Sequence, residues 1–510
     1  MLDHVLEATI LQSGVSGLTV TPLKTIAAAL DAMSERGIQY CHWKSNYHIE
    51  YAVTGREDVD ILIEESGFPE FTKIMADLGF RQADSVTNRE QPGVYHFLGN
   101  DEETGALINF HTYTRILTGD HFMKSWALPF GPLLLSDRHS NGVIWLPPKS
   151  TEVVIYVIRN MIKHTTLFDL LLLARAGKAT SEEYQWLLNG LDMDDTLAKL
   201  ARYFPEVSPT DFQRALVLVG ENGSLVEKIR LGFRFRNRLK KYRRYSQFNQ
   251  TVRSFLAAGQ MALKKFGRKE KHMTFLSGGK IIALVGPQAT GKSTIATAIK
   301  SWLGQELSIA YIHSGKPPAT WVTFIPGLLI PIARSLLPGQ RSVNVEIKAE
   351  DEERPKYPLI FVIRKVMLAY DRRALLRKAF QASRNGKIIL SDRYPSDVVG
   401  AIDGATFQDE HIEQEKSSLK RWLMKAERRI YDDICPPDFV LQLTVSVEKA
   451  IERNKNRVKT GFQQSTEYVK ARHGQKRLPH FNRCPVVTIS TDDELEQTIL
   501  TVKREVWKHL

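Results

Sequence analysis

The stretch Gly286-Pro287-Gln288-Ala289-Thr290-Gly291-Lys292-Ser293-Thr294 has the residue types and spacing needed to hold a polyphosphate. Gly286 and Gly291 let the backbone curl until several N–H groups point inward, where a β-phosphate can rest on them at a helix N-terminus. The amine of Lys292 bridges the β- and γ-phosphates, and the Ser293 hydroxyl completes the shell of a Mg2+ ion. The apolar run Lys280-Ile281-Ile282-Ala283-Leu284-Val285 precedes the loop and a helical pattern follows it. That strand, loop and helix context predicts a nucleoside-triphosphate site. A phosphate loop alone does not choose among kinases, GTPases and motors.

A second charged motif, Ser391-Asp392-Arg393-Tyr394, closes the apolar run Lys387 to Leu390. In an α/β domain, strand ends and phosphate loops gather on one edge of the sheet. A carboxylate there, Asp392, can hold the metal through water or orient an acceptor, and Arg393 can neutralise charge on a transferring phosphoryl group. No Asn-Lys-x-Asp follows to read guanine, and no apolar run ending in Asp-Glu marks a translocating ATPase.

In order, the phosphate loop, the Asp392-Arg393-Tyr394 triplet and the stretch PPDFVLQLTVSVEKAIERNKNR at 436 to 457 resemble the thymidylate kinase family of nucleoside-monophosphate kinases. The resemblance spans roughly 280 to 510. It implies ATP and Mg2+ as cofactors, with Lys292 and Ser293 holding ATP and metal, and Asp392 and Arg393 facing the transferred group. Arg453 and Arg457, four apart on one helical face, then belong to a lid helix. Asp371-Arg372-Arg373 resembles the family's acceptor segment, in which the arginine grips the acceptor phosphate. Three departures fall on the acceptor side: His313 to Thr320 replaces an acidic-Pro-Gly-Gly stretch, Val398 to Ile402 replaces Ala-Tyr-Gln, and 316 to 358 is long. The donor chemistry is intact, while the acceptor stays open among a nucleoside monophosphate and other small phosphorylated or hydroxyl substrates.

Near the N-terminus, DVDILIE at 58 to 64 alternates so that Asp58, Asp60 and Leu62 share one strand face. With Ser45 upstream this resembles the nucleotidyltransferase superfamily, where paired carboxylates hold two cations about the reacting phosphorus. Asp58 and Asp60 are the metal candidates. The strand at 106 to 114 offers Asn109 and His111 where the family has a third carboxylate. Active transfer to a sugar or cell-envelope precursor, a degenerate binding domain, and a different fold all stand as readings. An ATP-binding regulatory or scaffold protein is a further alternative.

The elements that must position these residues make the chain an α/β multidomain protein. Residues 1–146 read as an α+β, nucleotidyltransferase-like domain, 147–227 as a helical region, 228–279 as a basic amphipathic helical linker, and 280–510 as a P-loop kinase domain with a parallel sheet. In the second block, Val154, Val157, Ile158, Met161 and Ile162 follow helical spacing after a Ser150 cap. Apolar runs at 280–285, 386–390, 438–444 and 485–490 predict the parallel strands. At 510 residues two or three domains are expected.

The net charge of +13 is concentrated in 228–272, which holds fifteen Lys and Arg against one acid, Glu270. Such a segment suits an anionic membrane surface or a solvated helix that attracts phosphorylated substrates; without a reading motif nucleic acid is not expected. Phe235, Leu239, Tyr242, Tyr245, Phe248, Val252 and Leu256 suggest one long helix there. Cys41, Cys435 and Cys484 are isolated, and no basic, apolar leader opens the chain, so a reducing, cytoplasmic setting is expected. The most apolar run, Trp321 to Ala333, is short and contains Pro326 and Pro331. Composition leaves the oligomeric state open.

Overall fold

The computed structural model describes residues 20–84, 92–119, 125–163, 179–220, 225–245, 272–336, 357–401, 403–456, 466–473 and 479–510. Two compact units divide at Lys271 and His272.

The first unit opens with α1 (Lys24–Glu35), β1 (Tyr40–His42), β2 (Val59–Ile63), α2 (Phe68–Asp77), β3 (Arg81–Asp84), β4 (Val94–Asn100) and β5 (Leu107–Tyr113). Its strands lie in the order β1-β2-β5-β4-β3. Only the β2 and β5 pair is parallel; β1 with β2, β3 with β4, and β4 with β5 run antiparallel. The alternation in 58–64 sorts the strand as its period demands. Val59, Ile61 and Ile63 pack with Ile26, Leu30 and Met33 of α1 and Phe71 and Ile74 of α2. Leu62 turns to the other core, so Asp60 shares that second face.

Among the described residues, five helices then run from 149 to 238: α3 (Lys149–Lys163), α4 (Ala179–Leu188), α5 (Met193–Tyr203), α6 (Pro209–Gly220) and α7 (Leu225–Arg238). Val154, Val157, Ile158, Met161 and Ile162 of α3 are buried in one cluster with Trp43 and Tyr113 from the sheet side and Phe212 and Phe235 from α6 and α7. The helical region and the sheet therefore share a core. Ser150 is not the cap expected: α3 already begins at Lys149, and the Ser150 hydroxyl donates to Asp195 at 2.5 Å. The long basic helix expected from 235 to 256 is also corrected, because α7 stops at Arg238 and a 3-10 turn occupies Lys240–Tyr242. Residues 246–271 lie outside those described. On the described part, Arg234 and Arg238 both pair with Asp211, and Lys241 pairs with Glu206. Internal acids thus compensate part of the basic face.

The second unit contains β6 (Ile281–Val285), α8 (Lys292–Leu303), β7 (Ile309–His313), α9 (Trp321–Leu336), α10 (Leu359–Arg384), β8 (Ile388–Asp392), α11 (Ser418–Asp432), β9 (Phe439–Thr444), α12 (Val447–Lys455), β10 (Val486–Ser490) and α13 (Leu495–His509). The sheet is parallel in the order β7-β8-β6-β9-β10. Four strands match the four apolar runs. The fifth, β7, is an edge strand with no fully buried residue, which explains its faint apolar pattern. β6 is buried at every position and lies in the centre, so the first strand of the unit is flanked by β8 and β9. Among the described residues, no helix is long and apolar enough to cross a membrane.

Glu152 is buried in α3, and burial pushes its carboxyl up to about 8 despite a hydrogen bond from Asn46 that favours the anion. The native state then holds a proton that the unfolded chain releases above the ordinary carboxylate range, so stability falls as pH rises towards about 8. Glu152→Gln is expected to remove this slope. Thermal melts at about pH 5 and about pH 8 check it: the Tm of the unaltered chain should fall by more than that of the variant.

Candidate functional site

The loop after β6 is shaped by close approach. Gly286 has φ +149°, and a Cβ there would lie 2.4 Å from the carbonyl oxygen of Leu443 in β9, so only glycine fits. Ala289 also adopts a positive φ, and Gly291 at φ +82° caps α8. Thr290 is buried, and its hydroxyl donates to the Pro287 carbonyl at 3.0 Å. The ammonium of Lys292 donates to the carbonyls of Gly286 (2.9 Å) and Pro287 (2.7 Å), which holds it inside the loop. Ser293 and Thr294 stand exposed on the first turn of α8. These residues, Pro287 and Gln288 line one cavity of about 710 Å3.

The strand register brings Asp392 to the same cavity. Leu284 of β6 lies beside Asp392 of β8, and His313 of β7 lies on the other side. Oδ2 of Asp392 accepts from the Tyr311 hydroxyl at 3.1 Å and lies 3.5 Å from His313 Nδ1. Burial, and then the Asp392 charge, push the Tyr311 phenol up to about 12, so it remains a donor. Oδ1 of Asp392 is buried with no hydrogen-bond partner among the described residues. A lone carboxylate oxygen beside a phosphate loop suits a hard cation that takes few protein ligands and keeps its other positions for water and phosphate. The Ser293 hydroxyl and Asp392 thus fit a Mg2+ ion.

Arg393 is held in the left-handed region at φ +70°. Its N–H donates to Leu284 (2.9 Å), and its carbonyl accepts from the hydroxyls of Ser314 and Ser391, each at 2.8 Å. Its side chain passes Gly315, where a Cβ would meet the Arg393 Cδ at 2.6 Å. The Arg393 guanidinium pairs with Asp403 Oδ2 at 3.3 Å, while Arg372 pairs with Asp403 Oδ1 at 2.7 Å. Arg372 also donates to the carbonyls of Ser314 and Asp403, both at 2.9 Å, and to the Tyr431 hydroxyl at 2.8 Å. Its nitrogens are committed to the protein, so Arg372 is a buried strut for Arg393 rather than the exposed grip the resemblance implies. Arg373 pairs with Asp433 and lines a separate cavity of about 390 Å3.

On the far side of the cleft, Arg453 of α12 donates to the hydroxyl (3.0 Å) and carbonyl (2.6 Å) of Thr491. Arg457 lies outside the described residues. His473, on the helix Thr466–His473, shares a hydrogen bond with the Gln288 carbonyl at 2.9 Å. Thr498 adds a buried hydroxyl without a hydrogen-bond partner among the described residues. Sequence reasoning missed His313, Asp403 and Thr498. Asp403 left one signal, an Asp-Gly turn pair directly after the segment Val398 to Ile402 that departs from the family pattern.

In the first unit, the parallel register sets Asp60 of β2 beside His111 of β5. Asp60 lies 2.9 Å from both Lys44 Nζ and His111 Nδ1. Burial would raise its carboxyl, but the His111 hydrogen bond and Lys44 outweigh burial and hold it below the usual range. Asp58 accepts from Asn109 Nδ2 at 3.0 Å, and burial followed by repulsion from Asp60 raises its carboxyl. His96 stacks on His111 at 4.2 Å, and burial pushes the His96 imidazole down to about 4. Ser45 sits beside Lys44 at φ +59°. This donor set does not fit two metal ions, which corrects the expectation for Asp58 and Asp60. An ammonium and an imidazole already engage Asp60, and Asn109 is neutral. Among the described residues, no group of three His, Cys, Asp or Glu could hold a metal.

No protein-family model matches this chain, and no curated protein does. Among solved structures, the chain is similar to thymidylate kinase from Candida albicans at 18% identity and a TM-score of 0.26, over 45% of this chain and 90% of that one. So low a TM-score carries no argument.

Asp403 is the carboxylate shared by two guanidinium groups. Replacing it by alanine leaves Arg372 buried and short of its counter-charge, a loss on the order of 3 kcal/mol. Urea unfolding, followed by a probe in the second unit, is expected to show an earlier transition for Asp403→Ala, with Asp403→Asn intermediate.

Proposed function

We propose that the second unit is an ATP- and Mg2+-dependent kinase acting on a small phosphorylated or hydroxyl acceptor. The observation that carries this reading is the unpartnered Asp392 carboxylate oxygen in the cleft built by the phosphate loop. Loop N–H groups and Lys292 hold the triphosphate, as the loop's curvature and the position of the ammonium support. Mg2+, when bound by Ser293 and by Asp392 directly or through water, neutralises charge on the phosphates. Arg393 and Arg453 add positive charge from opposite walls, with Arg393 aimed by Asp403 and Arg453 by Thr491. Asp392 is also placed to orient an acceptor hydroxyl or take its proton. The order of motifs, which resembles that of thymidylate kinases, agrees with this assignment.

For the first unit we propose ligand binding without metal-dependent transfer, because the Asp60 carboxylate is compensated by Lys44 and His111. Nucleotide label incorporated from labelled triphosphate and abolished by Asp58→Asn would overturn that reading.

ADP release from ATP-Mg2+, measured against nucleoside monophosphates, sugars and sugar phosphates, tests the kinase. Lys292→Ala is expected to lower kcat/KM by about a hundredfold or more with the active acceptor. Unchanged turnover in that variant sinks the proposal. ATP binding without acceptor-dependent ADP release across the panel would instead favour a regulatory or scaffold role.

A further inference from the structure

Helix α9 is inside out. Thr323 is buried, and its hydroxyl donates to Asp371 of α10 at 2.7 Å, while the Thr320 N–H donates to the same oxygen at 2.9 Å. Gly327, one turn on, faces α10 as well: a Cβ there would lie 3.9 Å from Met367 Cε. The helix thus turns its small and polar residues towards the unit. At about 100° per residue, Trp321, Val322, Phe324, Ile325, Leu328 and Leu329 fall on the opposite arc. Their exposure runs from 54% for Phe324 to 95% for Trp321. Six large apolar side chains on one outward face invert the pattern that stabilises a surface helix in water.

We propose that this face docks on an anionic lipid bilayer. Charge selects that occupant. From Leu307 to Val345 the chain has no Asp or Glu, while Lys316, Arg334 and Arg341 lie within or beside the apolar run. On the neighbouring α10, Arg364 is exposed. An apolar helix with Trp at its margin and basic residues within and beside it along the chain is the composition of an element lying in the headgroup region. Its length argues for lying rather than spanning. Sixteen residues cover about 24 Å, short of the roughly 30 Å hydrocarbon core, and Pro326 and Pro331 interrupt the run. The following stretch, 337–356, cannot supply an equal apolar cover by composition, since its large apolar residues are Leu337, Val343, Val345 and Ile347 among nine charged ones.

The docking surface is separate from the phosphate-loop residues, so it is tested by binding and not by turnover. The full chain is mixed with vesicles of phosphatidylcholine containing about 30% phosphatidylglycerol, or with phosphatidylcholine alone, and sedimented. The chain is expected to pellet with the anionic vesicles. Ile325→Gln combined with Leu328→Gln should weaken that binding at least about tenfold, and Trp321→Ala should weaken it alone. Both variants should keep the ATP affinity of the unaltered chain, which shows that the unit is folded. Three results overturn the proposal. The unaltered chain fails to sediment; the variants bind as well as it does, which would assign the contact to the basic segment instead; or light scattering finds a dimer that the variants convert to monomer without vesicle binding.

Discussion

Much of the second unit depends on the placement of one strand. β6 is buried at all five positions, so both its edges and both its faces must be covered, and it occupies the centre of the parallel sheet. Parallel pairing then fixes what stands at the end where the chain leaves. Leu284 lies beside Asp392 and Val285 beside Gln442, so the phosphate loop emerges between two strand ends. The same crowding puts the Leu443 carbonyl against Gly286. Loop curvature and carboxylate position are thus two results of one packing constraint.

The backbone carries strain where these residues meet. Among the described residues, the non-glycine positions with positive φ are Ser45, Ala289, Arg393 and Asp403. Each costs on the order of 1 kcal/mol, and each sits in a candidate site. Arg393 shows how the cost is offset: its N–H and carbonyl are bound by three neighbouring residues, and Asp403 joins its side chain to Arg372. Arg372, with all its nitrogens engaged below the cleft, makes the strained pair a fixed feature rather than a fluctuation.

Two other places show burial and charge deciding differently. In the first unit, a parallel register again aligns strand residues, but it brings His111 to Asp60, and Lys44 completes the compensation. A buried carboxylate engaged by an ammonium and an imidazole from the chain has little left for a metal. In α9, apolar side chains stay outward because the polar anchor of Thr320 and Thr323 on Asp371 orients the helix the other way.

The sequence by itself determined the features whose cause is local. The phosphate loop, the alternation of 58–64, four of the five strands in the second unit and the strand-end position of Asp392 all follow from residue type and short-range period, and all are found. Tertiary structure decided the rest. The exposed edge strand β7 lacked a sufficient apolar run. Ser150 had the chemistry of a cap but meets Asp195, forty-five residues away, after folding. Arg372 matched an acceptor-binding pattern, yet its partners Ser314, Asp403 and Tyr431 come from three distant segments and leave it no role at the surface. Spacing along a chain reports which side chains share a face; it carries no record of which face another element brings against it, and that pairing sets the charge and burial each group finally meets.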